Sequence, residues 1–519
     1  MINFVGRFLT VMVAAMAAVI VPCLSSAAAE ATLNVVTNSP SFTNGTGAIY
    51  LRLSPGHFTP AQGALLTVGR NYTLVASPSL KSLFVNWQVS GGTPVGTTNS
   101  AGLVFTMGPN TTVTANFITN IFLQMAGTYY GLYTSAATTP PADETSGMIY
   151  DLVLDTRGNY SCQIFGGGSS SSLSGTFTPE GIATNSYTNS LDNYVTVQFA
   201  INSTNAPRTI YGTVAGTNSI LTNGTASPGW VSSIVAIAAA TNASLTNTGV
   251  TNSSGIYTNG SSRAYTLVIP PDDASASTNG SPPGYGFACL TNTASTNTIS
   301  SVTILGLLPD WTSISEVAPV NEAGTIPIYQ NYFNTPDPGM LFGWLNLSNT
   351  PVAQAPSGTL TWIRKPSTRL GVYTNGFTNS TAVVGSTYIN STNVLTNLVS
   401  HTNLAGPGAQ MVVASDSFPV SPLTNDLYAV GANFYSRTGT DVGSNIFYRG
   451  YIYPTRGNFV IEFTNQYRVA RLAYGAILQN SNLITTDGVN SFTNLGAGFF
   501  YMGASRNPTN FGTITLRAK

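Results

Sequence analysis

Charge is the scarcest property of this chain. Only 7% of its 519 residues are Asp, Glu, Lys or Arg, against about 25% in an ordinary soluble domain. Eighteen basic and eighteen acidic residues cancel to a net charge of zero. Such a balance lacks the basic footprint that phosphate backbones require, so no nucleic-acid partner is expected. Histidine is almost missing as well. His57 and His401 are the only two, far apart and without any zinc-ligand spacing. A Ser-His-Asp triad would have to recruit one of them, and the G-x-S-x-G elbow is absent. Phosphate loops, dinucleotide fingerprints and acidic calcium loops are also lacking, so no cofactor and no metal are expected.

Paired carboxylates are the catalytic option that remains, because glycosidases need only two. Asp272 and Asp273 are adjacent, which suits a turn or a weak cation site better than an acid/base pair. Asp151 and Asp155 lie four apart on an expected strand, hence on one face and about 13 Å from each other. That spacing exceeds the carboxyl separation of either glycosidase class. The sequence therefore gives no reason to expect an enzyme.

Long apolar runs are confined to the first residues. Arg7 followed by FLTVMVAAMAAVIV and then SSAAAEA has the form of a secretory leader, expected over residues 1–31. Pro22 ends the run before it reaches membrane-spanning length, and no later stretch is long enough for a transmembrane helix. Export leaves Cys162 and Cys289, too few for a disulfide framework; paired and free are both open for these two.

What the chain has in quantity is Thr, Ser, Asn and 51 glycines, set between apolar or alternating runs of about six to ten residues. In YVTVQFAI at 194–201, Val195, Val197, Phe199 and Ile201 share one face, and Tyr194, Thr196, Gln198 and Ala200 the other. Helical periodicity is nearly absent. Many short strands closed by turn residues predict an all-β chain of antiparallel barrels or sandwiches. The uncharged stretch at 241–262 is expected to be a long loop between strands.

Three blocks occur in order near the N-terminus: YTLVASP at 72–78, Phe84 with Trp87, and FTMGPNTTVTANF at 105–117. Together they resemble the divergent B-repeat of internalin-like bacterial surface proteins, over about 85 residues from Thr32. The resemblance implies a small β domain used outside the cell as a spacer or contact unit, with no catalytic residues. Farther along, AGTYYGLY, SGTFTPEG, YTLVIP, FGWLNL, GTLTWIRKP and GAGFFYMG are similar to a Gly- and Tyr-rich β module of large exported bacterial proteins. That second resemblance implies an architecture and a location but no site. The domains expected are a leader at 1–31, a B-repeat-like domain at 32–118, a Gly/Tyr-rich domain at 121–370 and a C-terminal β domain at 371–519.

Charge divides the remainder unevenly. Residues 121–344 carry three basic and twelve acidic residues, whereas residues 345–519 carry eleven and five. The two stretches either differ by chance as separate β units or face each other, within one chain or between chains.

Among binding options, carbohydrate suits the abundance of aromatics and Asn, since sugar faces stack on rings and amides bond hydroxyls. Trp344 and Trp362 fall inside strands and are expected in cores, which leaves Trp311, in the loop-like LPDWTS, as the candidate ligand-binding residue. An outer-membrane barrel is a further alternative, opposed by the terminal TITLRAK and by the preceding B-repeat. The favoured expectation is an exported protein of the cell surface, periplasm or extracellular space with a structural or adhesive role. Extracellular polysaccharide and other surface proteins are its expected partners, and uncharged strand edges favour self-association.

Overall fold

The structure is a computed structural model. It describes residues 29–38, 44–135, 145–188, 194–202, 207–216, 229–240, 264–271, 284–292, 301–332, 338–347, 355–366 and 376–388. In the C-terminal part it describes 409–416, 427–430, 433–436, 441–444, 447–452, 456–464, 470–478, 483–486, 491–504 and 507–518. Most of the expected leader, the loop at 241–262, Asp272, Asp273 and His401 lie outside the described residues. The chain divides into two compact units, Met1–Ile121 and Phe122–Lys519.

Ten short strands build the first unit: β1 (Glu30–Thr32), β2 (Asn34–Thr37), β3 (Gly47–Ser54), β4 (His57–Pro60), β5 (Leu65–Thr67), β6 (Asn71–Pro78), β7 (Ser82–Ser90), β8 (Thr93–Val95), β9 (Gly102–Thr106) and β10 (Thr112–Thr119). They form a five-stranded sheet in the order β4-β3-β6-β9-β8, a three-stranded sheet β2-β10-β7 and the pair β1-β5. Alternate residues of the sheets turn inward, so Ile49, Leu51, Leu74, Ala76, Leu103 and Phe105 meet Trp87, Val113, Ala115 and Phe117 in one core. The Trp87 indole N–H donates to the Ser100 carbonyl at 2.9 Å, and Phe84 meets Phe117 edge-on. The NTT of the third block has a structural job. The Thr111 hydroxyl accepts from Gly108 N–H at 2.8 Å and lies 3.1 Å from the Gly91 carbonyl, tying two turns together. Gly91 has φ 69°, and a side chain there would collide with the backbone at Asn110.

The second unit opens with one helical turn, α1 (Phe122–Met125), and then three β assemblies. The first contains β11 (Gly127–Thr134), β12 (Gly147–Leu154), β13 (Asn159–Gly166), β14 (Ser169–Thr176), β15 (Ile182–Thr188), β16 (Tyr194–Asn202), β17 (Thr209–Gly216) and β18 (Trp230–Ala238). These pair antiparallel in the order β14-β13-β12-β11-β18-β17-β16-β15 and curl into a nearly closed eight-stranded barrel. Its inside is apolar: Tyr129, Ile149, Leu152, Ile164, Val197, Phe199, Ile210, Val214 and Ile234 are all buried. Its outside over β13–β17 is mostly Ser, Thr, Gln and Tyr. A lipid-spanning barrel has the reverse arrangement, so this barrel is not built to face lipid.

The middle assembly holds β19 (Ala264–Ile269), β20 (Gly286–Asn292), β21 (Ser301–Leu307), β22 (Ser313–Pro319), β23 (Thr325–Asn331), β24 (Gly339–Leu347), β25 (Pro356–Arg364), β26 (Phe377–Ala382) and β27 (Val384–Tyr388). Two sheets, β22-β21-β20-β19-β27 and β23-β24-β25-β26, share one core that runs from Leu267 and Leu290 to Leu341 and Trp362. The chain passes from β26 through Val383 directly into β27, turning the corner between the sheets, so the assembly is a flattened barrel. Pairing of β26 with β25, and of β27 with β19, puts residues from both sides of position 370 in one assembly. The charge boundary at 344/345 likewise falls within β24. A C-terminal ten-stranded sheet, from Ala409–Asp416 to Asn507–Ala518, completes the unit. Cys162 and Cys289 are both buried and free, and burial pushes each thiol up to about 12.

The assemblies dock through apolar patches on their outward faces. Leu132 and Met148 of the first barrel, with Tyr130 and Phe165 beside them, pack on Tyr329, Met340, Phe342 and Ile363 of the middle one. On its other side, Val268, Phe287 and Cys289 pack against Ala476, Leu478, Ala497 and Phe499 of the C-terminal sheet. One ion pair clamps the first junction. Arg208, leading into β17, donates from Nε at 2.9 Å and from Nη2 at 2.6 Å to Glu322 Oε1, in the turn between β22 and β23. Arg208 N–H donates to Glu322 Oε2 at 3.0 Å, and Nη1 to the Ala126 carbonyl at 2.6 Å. Glu322→Ala strands the guanidinium and is expected to cost about 3 kcal/mol, read as a lower urea midpoint. The apolar double variant Arg208→Met/Glu322→Leu should recover most of that loss.

Candidate functional site

Trp311 sits in the turn between β21 and β22. Its N–H donates to the Leu308 carbonyl at 2.9 Å, and the Asp310 carboxylate accepts from Thr312 N–H at 3.0 Å. Closing so tight a turn puts Trp311 at φ 71°, an uncommon conformation for a bulky residue. Packing holds it there. The half-buried indole lies edge-on to Tyr474, ring centroids 4.8 Å apart, and to Phe499 at 6.1 Å. The residue singled out as a sugar platform thus joins the middle barrel to the C-terminal sheet. Trp311→Ala removes this wedge and is expected to destabilise the fold by about 3 kcal/mol, seen as a lower melting temperature.

Beside it lies a buried polar cluster. Arg364, at the end of β25, donates from Nε to Asp310 Oδ2 at 2.6 Å, and its Nη2 reaches Asp310 Oδ2 and Thr312 Oγ1. Both charged side chains are almost fully buried, 5% and 2% exposed, so each needs the other. The Tyr332 phenol donates to the Ser313 carbonyl at 3.2 Å. Burial first, then the nearby Asp310 charge, hold that phenol well above its ordinary range.

Glu316 is the group that residue patterning had not marked out. On β22 it falls between Ile314 and Ala318, both of which enter the core, so strand parity turns it inward. Oε1 accepts from Tyr329 N–H at 3.5 Å, while Oε2 is fully buried without a hydrogen-bond partner. Burial pushes the carboxyl up to about 8, against a smaller downward pull from the Tyr329 N–H. At neutral pH it is therefore mostly protonated in the folded chain and ionised in the unfolded one. The folded state binds the extra proton, so the contribution of this group to stability is complete below pH 4.5 and is lost as pH rises towards 8. Glu316→Gln is expected to remove a loss on the order of 3 kcal/mol and flatten denaturation midpoints over that window. Equal slopes in the two proteins would contradict this.

Among the described residues, Asp151 and Asp155 do not converge. Asp151 sits at φ 52° in an irregularity of the β12–β13 ladder, which breaks the parity expected between it and Asp155. Asp155 lies beyond the strand, where its carboxylate accepts from Arg157 N–H, Asn159 N–H and the Asn159 amide, each at 2.8 Å, and is held below its usual range by those bonds. No group of three or more His, Cys, Asp or Glu side chains capable of holding a metal occurs among the described residues. His57 is exposed on β4, and Trp362 is core. Trp344 is half-buried at the junction of the two barrels.

The outside of β15–β17 is an open surface. Ladder register aligns it in rows across the strands, continued onto β18: Ser186–Thr196–Ala215–Val231, Thr184–Gln198–Thr213–Ser233 and Ile182–Ala200–Tyr211–Val235. None of these residues is charged. Ile182 and Tyr211 are each 43% exposed, and Tyr194, at the far end of β16, is 55% exposed.

Comparison with known proteins adds one assignment. Residues 53–121 match the model of the divergent InlB B-repeat domain. The match begins at Leu53, but the hydrogen-bonded module extends upstream, since β1, β2 and β3 pair with β5, β10 and β6. No curated protein and no solved structure matches the chain.

Proposed function

We propose that the protein is exported and acts at the bacterial surface as a structural, adhesion-type protein without a catalytic role. The B-repeat carries this reading, because that module is a bacterial surface-type repeat. The rest of the chain supports it. The B-repeat is followed by β assemblies in which two ion pairs among the described residues, Arg208–Glu322 and Arg364–Asp310, act as internal clamps. No helix among the described residues is long and apolar enough to cross a membrane. Exposed aromatics and hydroxyls on closed barrels give contact surface rather than reaction chemistry.

Cell fractionation with protease shaving of intact cells tests the proposal. The mature chain is expected outside the cytoplasm, cleaved by added protease or found in the medium or periplasm. A chain that stays with cytoplasmic markers would overturn it.

A further inference from the structure

We infer that the outside of β15–β17 on the first barrel is a binding face for a neutral polysaccharide, with Tyr211 and Tyr194 as its stacking ends. The inference deepens the surface role proposed above and rests on it.

Three observations carry it. The first is position. Toward β11 and β12 the barrel's exterior is covered by the middle barrel, through Leu132 and Met148, whereas Ile182, Tyr194 and Tyr211 remain exposed. The second is geometry. Tyr211 stands opposite Ala200, six residues along β16 from Tyr194, so the rings are about 20 Å apart along the strands. That distance spans several sugar units in an extended chain. Between them the face is floored by Thr184, Gln198, Thr213 and Ser233 in one row, with Ser186 and Thr196, continued by Ala215 and the exposed Val231, in the next. Tyrosine rings take the C–H faces of sugars, and amide and hydroxyl groups both donate to and accept from sugar hydroxyls.

The third observation is charge. No outward residue of the three rows is ionisable except the Tyr211 phenol, so an anionic polymer finds no cation there and a cationic one no carboxylate. A second copy of the chain fits less well. Cores of protein–protein interfaces are aromatic and apolar and depleted in serine, whereas the centre of this face is a row of hydroxyls and an amide.

The test is retention of the full chain on three insoluble neutral polysaccharides, cellulose, β-1,3-glucan and mannan, with an anionic alginate gel as control. Retention is expected on at least one neutral polymer, unchanged between 0.1 and 1 M salt, and absent on alginate. Tyr211→Ala and Gln198→Glu should each weaken it by about tenfold or more, as expected for loss of about 1.4 kcal/mol. Both positions are solvent-facing, and unchanged melting temperatures confirm that the barrel is intact. No retention on any neutral polymer would overturn the inference, as would retention indifferent to both substitutions. Concentration-dependent dimerisation abolished by Gln198→Glu, without polymer retention, would assign the face to a second copy instead. Each of these outcomes leaves the cell-fractionation result untouched, so failure here is distinct from failure of the surface role.

Discussion

A sheet that curls back on itself must satisfy the main-chain groups where its first and last strands meet, and the rest of this fold depends on how that is done. In both barrels side chains take over from the backbone ladder. At the first seam the Asn185 amide donates to the Ser174 carbonyl of β14 at 2.9 Å and lies 3.3 Å from the Tyr160 hydroxyl. At the second, the Gln330 amide both accepts from Ser315 N–H at 2.9 Å and donates to its carbonyl at 3.1 Å, mimicking a peptide unit. Glu316 reaches across the same seam to Tyr329. An amide carries the donor and acceptor a strand edge needs without adding charge, which fits a chain rich in Asn and poor in ions.

Where the seams are closed, outward faces become free for other uses. Apolar residues on the outside of the first barrel gather at Leu132, Met148 and Phe165 and are covered by Tyr329, Phe342 and Ile363. Elsewhere the same barrel shows mostly hydroxyls and amides, with Ile182, Tyr211 and Val231 exposed among them. Arg208 then adds direction to a contact that apolar packing alone leaves loose, because its three hydrogen bonds to Glu322 cross between the two barrels while a fourth, to Ala126, holds it on its own side.

Much of this was legible in residue order. The two-residue alternation at 194–201 places Val195, Val197 and Phe199 inside and Tyr194 and Gln198 outside, as the barrel does. The three N-terminal blocks prove to be core and turn residues of a β module. Other features depend on contacts between distant segments and leave little local trace. Arg364 in WIRKP looks like a solvated base next to Lys365, yet it is buried because Asp310, 54 positions away, meets it. Trp311 looks loop-like because it is in a turn, but Tyr474 and Phe499 reach it from the C-terminal sheet. The break at Asp151 shows the limit of counting by twos, since one irregular residue reverses every side chain after it. Glu316 did leave a signal, a carboxylate at core parity between Ile314 and Ala318, which strand parity applied to SISEVAP would have found.

The scarcity of charge has a physiological side. Only two ion pairs join side chains among the described residues, and one of them is almost fully enclosed, where dissolved ions do not screen it. Cohesion elsewhere comes from apolar burial and neutral amides, which respond weakly to ionic strength. Outside a cell, salinity is set by the surroundings and can change within minutes. A scaffold assembled in this way is expected to keep its shape from fresh water to brine without any adjustment of its sequence.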